Sequence, residues 1–308
     1  MSAEILSLEP AATPAKRPRL VSDPYFIAGS TILLLIIALT AAAPLITSIS
    51  PNEIDLLNLE AAPSAAHWLG TDELGRDVLS RLLYGGRISV LVGIAAVVVQ
   101  VLIGVTLGAV AGYFGGKTDI LIMRLTEAVM CFPFYAIAIT LAAIFGASIW
   151  NVIIIIGVLN WTGLARLIRA EFLSLREREF VLAARAMGVG SLTIIVRHLL
   201  ANAYGPLLVY ATLAVANGIL AEAALSFLGL GVRQPDPSWG NLLSAAQSMR
   251  VLSYCWWLWV PPGIAIILMV LAINLIGEAL SKSFNPQSSA TLRDMQSKPN
   301  QTTKANAS

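Results

Sequence analysis

The chain has 308 residues, 57% hydrophobic and only 12% charged, with a formal net charge of +2 and a mean hydropathy of +0.76. Soluble domains carry roughly 25% charged residues, so a soluble globular protein is excluded, and a charge so near neutral gives no basis for a nucleic-acid partner. Two cysteines far apart, Cys131 and Cys255, do not make a disulfide framework and read as packing residues.

Residues 1–24 form a polar tail with Lys16, Arg17 and Arg19 and no cleavable signal-peptide pattern. The first apolar run, Tyr25–Thr47, spans about 23 residues, enough at ~1.5 Å per residue to cross a ~30 Å hydrocarbon core. It is expected to stay as a first, lone membrane helix. Residues 48–85 follow as a loop. They include most of "HWLGTDELGRDVLSRLLYGGRISVLVG" (His67–Gly93). There Gly70 and Gly75 break a helix, Asp72 can cap one, and Val78, Leu79, Leu82 and Leu83 have helical spacing. The spacing predicts a short amphipathic helix leading into the second span, Gly86–Phe114. It either packs on the bundle or helps receive a substrate-delivering protein; packing is the preferred role.

"AGYFGGKT" (Ala111–Thr118) nearly spells the nucleotide-cradling loop G-x-x-x-x-G-K-[ST], but it begins with Ala and lies between two apolar runs instead of between a strand and a helix. Gly115 and Gly116 are expected to make a turn there, with no nucleotide. The third span, Asp119–Phe145, carries Arg124 and Glu127 three positions apart, where they can pair. The fourth, Ile149–Ile168, is the shortest and contains Asn151, Asn160 and Trp161.

The chain then interrupts its apolar runs with "EREFVLAARAMGVGSLTIIVRHLLAN" (Glu177–Asn202). Glu179 marks the exit from lipid. Ala183, Ala184 and Ala186 form helix with almost no side chain. Gly188 and Gly190 can take positive φ and stop that helix, and Ser191 can cap a second one bearing Leu192, Ile194, Ile195, Leu199 and Leu200. A helix, tight turn and helix result, within a loop over residues 172–203. Such a hairpin offers a close-approach surface to another protein, or it lies on the lipid headgroups.

The fifth span, Tyr204–Leu228, holds Asn217 and Glu222. An ionisable group within a membrane helix is a functional candidate. Glu222 has no basic residue within a helical turn, so it is partnered by another subunit or faces a wet pathway. Pro235, Pro237 and Trp239 shape the loop to the sixth span, Trp257–Gly277, which contains Asn274. Asn151, Asn160 and Asn274 could line the same route as Glu222 or tie helices together. Residues 280–308 are polar, with little to bury, and are expected to be disordered, as is the N-terminal tail.

Orientation follows from Lys and Arg. Only Arg76, Arg81, Arg87, Arg233 and Arg250 fall on one side of the six-span scheme, and the other 15 of the 20 fall on the side of both termini. The positive-inside rule makes that side the cytoplasm, which puts 172–203 in the cytoplasm and 48–85 outside.

The Glu177–Asn202 stretch resembles the cytoplasmic loop of ABC-importer permeases that reads E-A-A-x-x-x-G, nine residues, I-x-L-P. Ala183, Ala184, Gly188 and Leu200 match, while Leu182, His198 and Ala201 stand where that motif has Glu, Ile and Pro. His67–Gly93, with Gly70, Thr71, Asp72, Gly75, Arg76 and Asp77, resembles the signature of the peptide/nickel branch, in the subunit called the C-type permease. "AEAALSFLGLGVRQPDPSWGNLL" (Ala221–Leu243) and "NLIGEAL" (Asn274–Leu280) do likewise. The resemblance spans Tyr25 to Pro286. It implies an all-α polytopic membrane protein with six transmembrane helices, one N-terminal helix plus a five-helix type I ABC importer core at 86–279. It implies a bacterial inner-membrane location and a second related permease, two ATP-binding subunits and an extracytoplasmic substrate-binding protein as partners, besides membrane lipid. It assigns coupling to the ATPase to Glu179, Ala183, Ala184, Gly188, Gly190 and Leu200. Glu222, Asn217, Asn160 and Asn274 are the candidate translocation path. No covalent chemistry and no cofactor are expected.

Two other classes fit less well. A secondary transporter would want inverted repeats and broken helices meeting at mid-membrane, and the sequence shows neither. An intramembrane hydrolase or a histidine-rich metal site is excluded because the only histidines, His67 and His198, fall on opposite sides of the bilayer. No Cys/His cluster argues for nickel, so di- or oligopeptides are the expected cargo.

Overall fold

The computed structural model describes residues 20–284. Of the tails expected at 1–24 and 280–308, residues 1–19 and 285–308 lie outside the described residues; residues 280–284, expected to be disordered, instead continue the last helix to Phe284. Among those described there are helices and no strands: α1 (Pro24–Ala41), α2 (Ala43–Ile46), α3 (Val78–Phe114), α4 (Gly116–Met130), α5 (Phe134–Phe145), α6 (Ile149–Leu175), α7 (Glu179–Ala186), α8 (Ser191–Thr193, running into a π-helical turn Ile194–Leu200), α9 (Tyr204–Phe227), α10 (Trp239–Leu243), α11 (Met249–Tyr254) and α12 (Trp256–Phe284). Five of them, α1, α3, α6, α9 and α12, are each long and apolar enough to cross a membrane.

The expected third span is not one straight helix. It is α4 and α5, bent by 80° across the break Cys131–Pro133. Pro133 lacks the backbone N–H that would continue the ladder and disfavours helix for the residue before it. At 15 and 12 residues, the two pieces are about 22 and 18 Å long, each short of a ~30 Å core. Asp119 and Met130, at opposite ends of α4, both reach α6, at Arg169 and Arg166. These arginines lie one turn apart, so α4 crosses α6 steeply. The chain thus contains a broken helix where one straight span was expected. The second span differs too. The short amphipathic helix is the start of α3 itself, 37 residues or about 55 Å long, whose first turns project beyond a hydrocarbon core.

Helix α3 is the spine. Gly104, Gly108 and Gly112 form a one-residue-per-turn stripe laid against α6. A Cβ on them would meet Leu164 Cβ at 2.9 Å, Ala165 O at 2.5 Å and Phe172 Cβ at 2.6 Å. Small residues at this spacing let two backbones approach closely, as lipid-embedded helices require. One core joins α3, α5, α6 and α9 through Val92, Ala96, Ala138, Val152, Ile156 and Leu225. A second joins α9 and α12 to α1 and α10 through Ile36, Ile219, Trp239 and Met269. Helix α1 lies along α12, with Gly29 on Ala272 and the Tyr25 ring 4.0 Å below Lys282 Nζ.

The bundle therefore has two distinct ends. At one, α7 and α8 form a hairpin beside the α3–α4 turn and the end of α12. At the other, residues 42–77, α10 and α11 close over the starts of α3 and α12 and the end of α9.

Candidate functional site

The hairpin forms for local reasons. Helix α7 ends because Gly188 takes φ 78°, with Gly188 N–H donating to Arg185 O and Val189 N–H to Ala184 O. This is the left-handed cap that glycine permits. The expectation for its neighbours needs correcting. Gly190 has φ −64° and is itself the residue before α8, and Ser191 is the first helical residue and makes no capping bond.

One face of the hairpin is closed against its own bundle. Val181, Ala184, Ile194 and Leu199 are at most 2% exposed and pack with Leu164, Ile168, Phe172 and Ala203; Leu200 lies at the edge of the same cluster. The Arg185 guanidinium sits 5.0 Å over the Tyr113 ring and pins α7 to α3. Ala184 and Leu200, expected on a surface for another subunit, are thus part of this internal packing. Glu179, Ala183, Gly188 and Gly190 do face outward, and nothing lies within 4 Å of where a Cβ would stand on either glycine. Sequence reasoning missed the residues that make this outer face apolar: Phe180, Leu182, Met187, Leu192 and Val196, of which Met187 and Leu192 are 76% and 74% exposed. Leu182 was visible only as a departure from a motif. An apolar row beside small residues is a surface that a partner can cover.

At the opposite end, the signature Gly70–Asp77 is a hydrogen-bonded knot. Asp72 accepts from Leu74 N–H, Arg76 N–H and Arg76 Nε (2.9, 3.0 and 2.7 Å). Arg76 Nη1 also donates to Gln234 Oε1 at 3.1 Å, and Arg81 Nη1 to Pro51 O at 3.1 Å. Asp77 caps α3 at Ser80 N–H (2.8 Å) and holds His67 Nδ1 at 2.9 Å. Thr71 Oγ1 accepts from Ala61 N–H at 2.8 Å and donates to Asn58 O. The side-chain amide of Asn58 and the N–H of Leu57 hold the Asp55 carboxyl below the usual carboxylate range. Arg76, Arg81 and Asp77 are 5%, 2% and 3% exposed, so the signature chiefly builds the loop and fixes it to α3. Beside it opens a polar cleft of about 350 Å³, walled by Glu60, Arg76, Arg81, Gln234, Asn241 and Arg250.

The four path candidates differ in their surroundings. Glu222 is 0% exposed, and its carboxylate accepts from Ser89 Oγ (2.8 Å) and Ser226 Oγ (2.6 Å), all within this chain. Within this chain it is thus enclosed and partnered by two serines, where a wet pathway or a partner from another subunit was expected. Burying a carboxylate demands such donors, and Ser226, one helical turn away, was readable in the sequence. Asn160 Nδ2 donates to Ile156 O on its own helix at 2.9 Å, and Asn217 and Asn274 are exposed. Arg124 and Glu127 pair at 2.9 Å as expected, fully on the surface. Gly115 and Gly116 make the α3–α4 turn with φ 64° and 55°. Among the described residues no three His, Cys, Asp or Glu side chains are grouped to hold a metal ion.

Residues 104–289 match the family described as binding-protein-dependent transport system inner membrane component. A protein named as a peptide permease in Brucella suis is 45% identical over 269 residues, 87% of this chain and 89% of the relative. The oligopeptide transport system permease protein of Haemophilus influenzae is 42% identical over 275 residues, 89% and 88% of the two chains. The dipeptide transport system permease protein of Alkalihalophilus pseudofirmus is 41% identical over 261 residues, 85% of each.

Proposed function

The chain belongs to the family of binding-protein-dependent transport system inner membrane components, and from that membership we propose that it is the permease that carries di- or oligopeptides through an ATP-driven importer. It is a multi-pass membrane protein and a transport subunit, not an enzyme. Peptides as cargo are supported by what three similar proteins are named for.

We assign the working parts as follows. Both termini and the α7–α8 hairpin face the cytoplasm; the bias of 15 against five among the 20 Lys and Arg supports this. The exposed apolar row with Ala183 and Gly188 is where an ATP-binding subunit docks, and two such subunits serve this chain and a second, related permease. The Gly70–Asp77 knot and the polar cleft then lie outside, where a substrate-binding protein delivers its load. Lipid covers the apolar flanks, such as Leu34 and Leu35 of α1, 66% and 59% exposed. Closure of the ATPase pair moves the hairpin, and because Val181, Ala184 and Ile194 are locked to α3 and α6, the bundle moves with it.

The single observation that carries this reading is the two-faced hairpin, clamped inward and apolar outward. The test is uptake of a labelled dipeptide into vesicles holding the full importer. ATP-dependent accumulation is expected; accumulation driven by a proton or sodium gradient without ATP would overturn the reading.

A further inference from the structure

We propose that Glu222 is a positioning residue that seats α10 on α3 and α9 and thereby sets the shape of the polar cleft; the proposal rests on the reading of the chain as a peptide permease. The carboxylate sits at the crossing of three elements. Ser89 Oγ of α3 accepts from Trp239 N–H, on the first residue of α10, at 3.1 Å and donates its own O–H to Glu222 Oε2. Ser226 Oγ of α9 accepts from Val232 N–H, in the loop leading to α10, at 3.1 Å and donates its O–H to Glu222 Oε1. Each hydroxyl therefore links a backbone donor to one carboxylate oxygen, and both oxygens act only as acceptors.

The segment so held is built to fit. Trp239 Nε1 donates to Leu82 O at 3.0 Å, and Ser238 and Asn241 form a reciprocal cap at the start of α10. Gly240 lies directly on the α9 backbone; a Cβ there would stand 2.6 Å from Ala223 Cα. Asn241, Leu242 and Ser244, in and just after α10, line the cleft together with Asp72, Arg76 and Arg81. A shift of α10 thus moves Asn241, Leu242 and Ser244 in the lining of the cleft. The two longest signature strings of the sequence, His67–Gly93 and Ala221–Leu243, meet at this carboxylate.

The chemistry separates an amide from a carboxylate at this position. In Glu222→Gln the side-chain N–H₂ is a donor where the relay needs an acceptor, so one serine hydroxyl loses its partner. Ser89→Ala and Ser226→Ala each remove one relay and keep the carboxylate. A hydrogen bond to a charged group contributes enough to shift a local equilibrium about tenfold.

The test uses the full importer in proteoliposomes, with Cys131 and Cys255 replaced by Ala and a single cysteine introduced in place of Ser244. Maleimide labelling of that cysteine and the KM and kcat for a labelled dipeptide are measured per assembled complex in Glu222→Gln, Ser89→Ala and Ser226→Ala. Labelling is expected to rise on the order of tenfold and KM to rise with it, with basal ATP hydrolysis kept. A merely structural role would lower the yield of complex and leave labelling and KM per complex unchanged, in all three variants; that result overturns the proposal. Absence of peptide uptake by the parent complex would instead overturn the functional reading on which the proposal rests.

Discussion

Ala183 and Ala184 are neighbours on α7 and face opposite ways. Ala184, 2% exposed, is enclosed with Val181, Phe172 and Leu199, while Ala183 lies on the outer side beside Met187. The pair divides the hairpin between a clamped inner face and an exposed outer one. Enlarging the enclosed residue forces neighbours off their rotamers and costs about 1–3 kcal/mol. Ala184→Leu is therefore expected to lower the thermal midpoint of the purified permease, and Ala183→Leu to leave it unchanged. Equal midpoints for the two variants would show that α7 is not clamped as described.

Gly75 and Gly116 share a positive φ, 75° and 55°, but not a neighbourhood. A Cβ on Gly75 would lie 1.8 Å from Asp55 O, whereas one on Gly116 meets nothing within 4 Å. Left-handed backbone alone costs an L-residue about 1–2 kcal/mol; the clash comes on top and has no flexible side chain to yield. Gly75→Ala is expected to open the 48–77 loop to protease in intact complexes, and Gly116→Ala to leave the cleavage pattern as it was. Protection retained in Gly75→Ala would contradict the packing of Asp55 on that turn.

The broken third span is tied down by Asp119 and Arg169, whose fork grips the carboxylate through Nε and, at 2.6 Å, Nη2. Their side chains are 15% and 32% exposed, so the pair is partly screened and its coupling is expected at about 1–2 kcal/mol. A double-mutant cycle with Asp119→Asn and Arg169→Met, read by thermal unfolding in detergent, measures it. Strict additivity would mean that α4 is held by other contacts.

The apolar runs gave five crossing helices directly, because hydropathy over ~20 residues is a strong signal. The same averaging hid the break in the third span: the runs on either side of Cys131–Pro133 score as one, and Pro133 was the local signal against it. The second span was expected to begin at Gly86, but Gly85 and Gly86 lie inside α3. Their lack of side chain serves close approach, to the Ser238 backbone and to the Trp239 ring. Glu222 was legible as unusual and misread in its surroundings, since Ser89 lies 133 positions away and only folding brings it near. In the hairpin, helix–turn–helix was readable from Ala and Gly, but which side of α7 faces the bundle depends on where α3 and α6 stand.

Leu192 tests the central claim, that the outer face of the hairpin is where the ATPase holds on. It is 74% exposed and lies outside the internal clusters, so Leu192→Asp leaves the permease's own packing intact. Covering a leucine contributes about 1.5–3 kcal/mol, and a carboxylate buried in its place costs several more, with each 1.4 kcal/mol worth about tenfold in association. The measurement is the amount of ATP-binding subunit that co-purifies with the Leu192→Asp permease from membranes. The account predicts a loss of at least about tenfold, with permease insertion and thermal midpoint unchanged. Retention at parental stoichiometry, with substrate-stimulated ATP hydrolysis intact, would contradict it and leave the hairpin resting on the lipid headgroups.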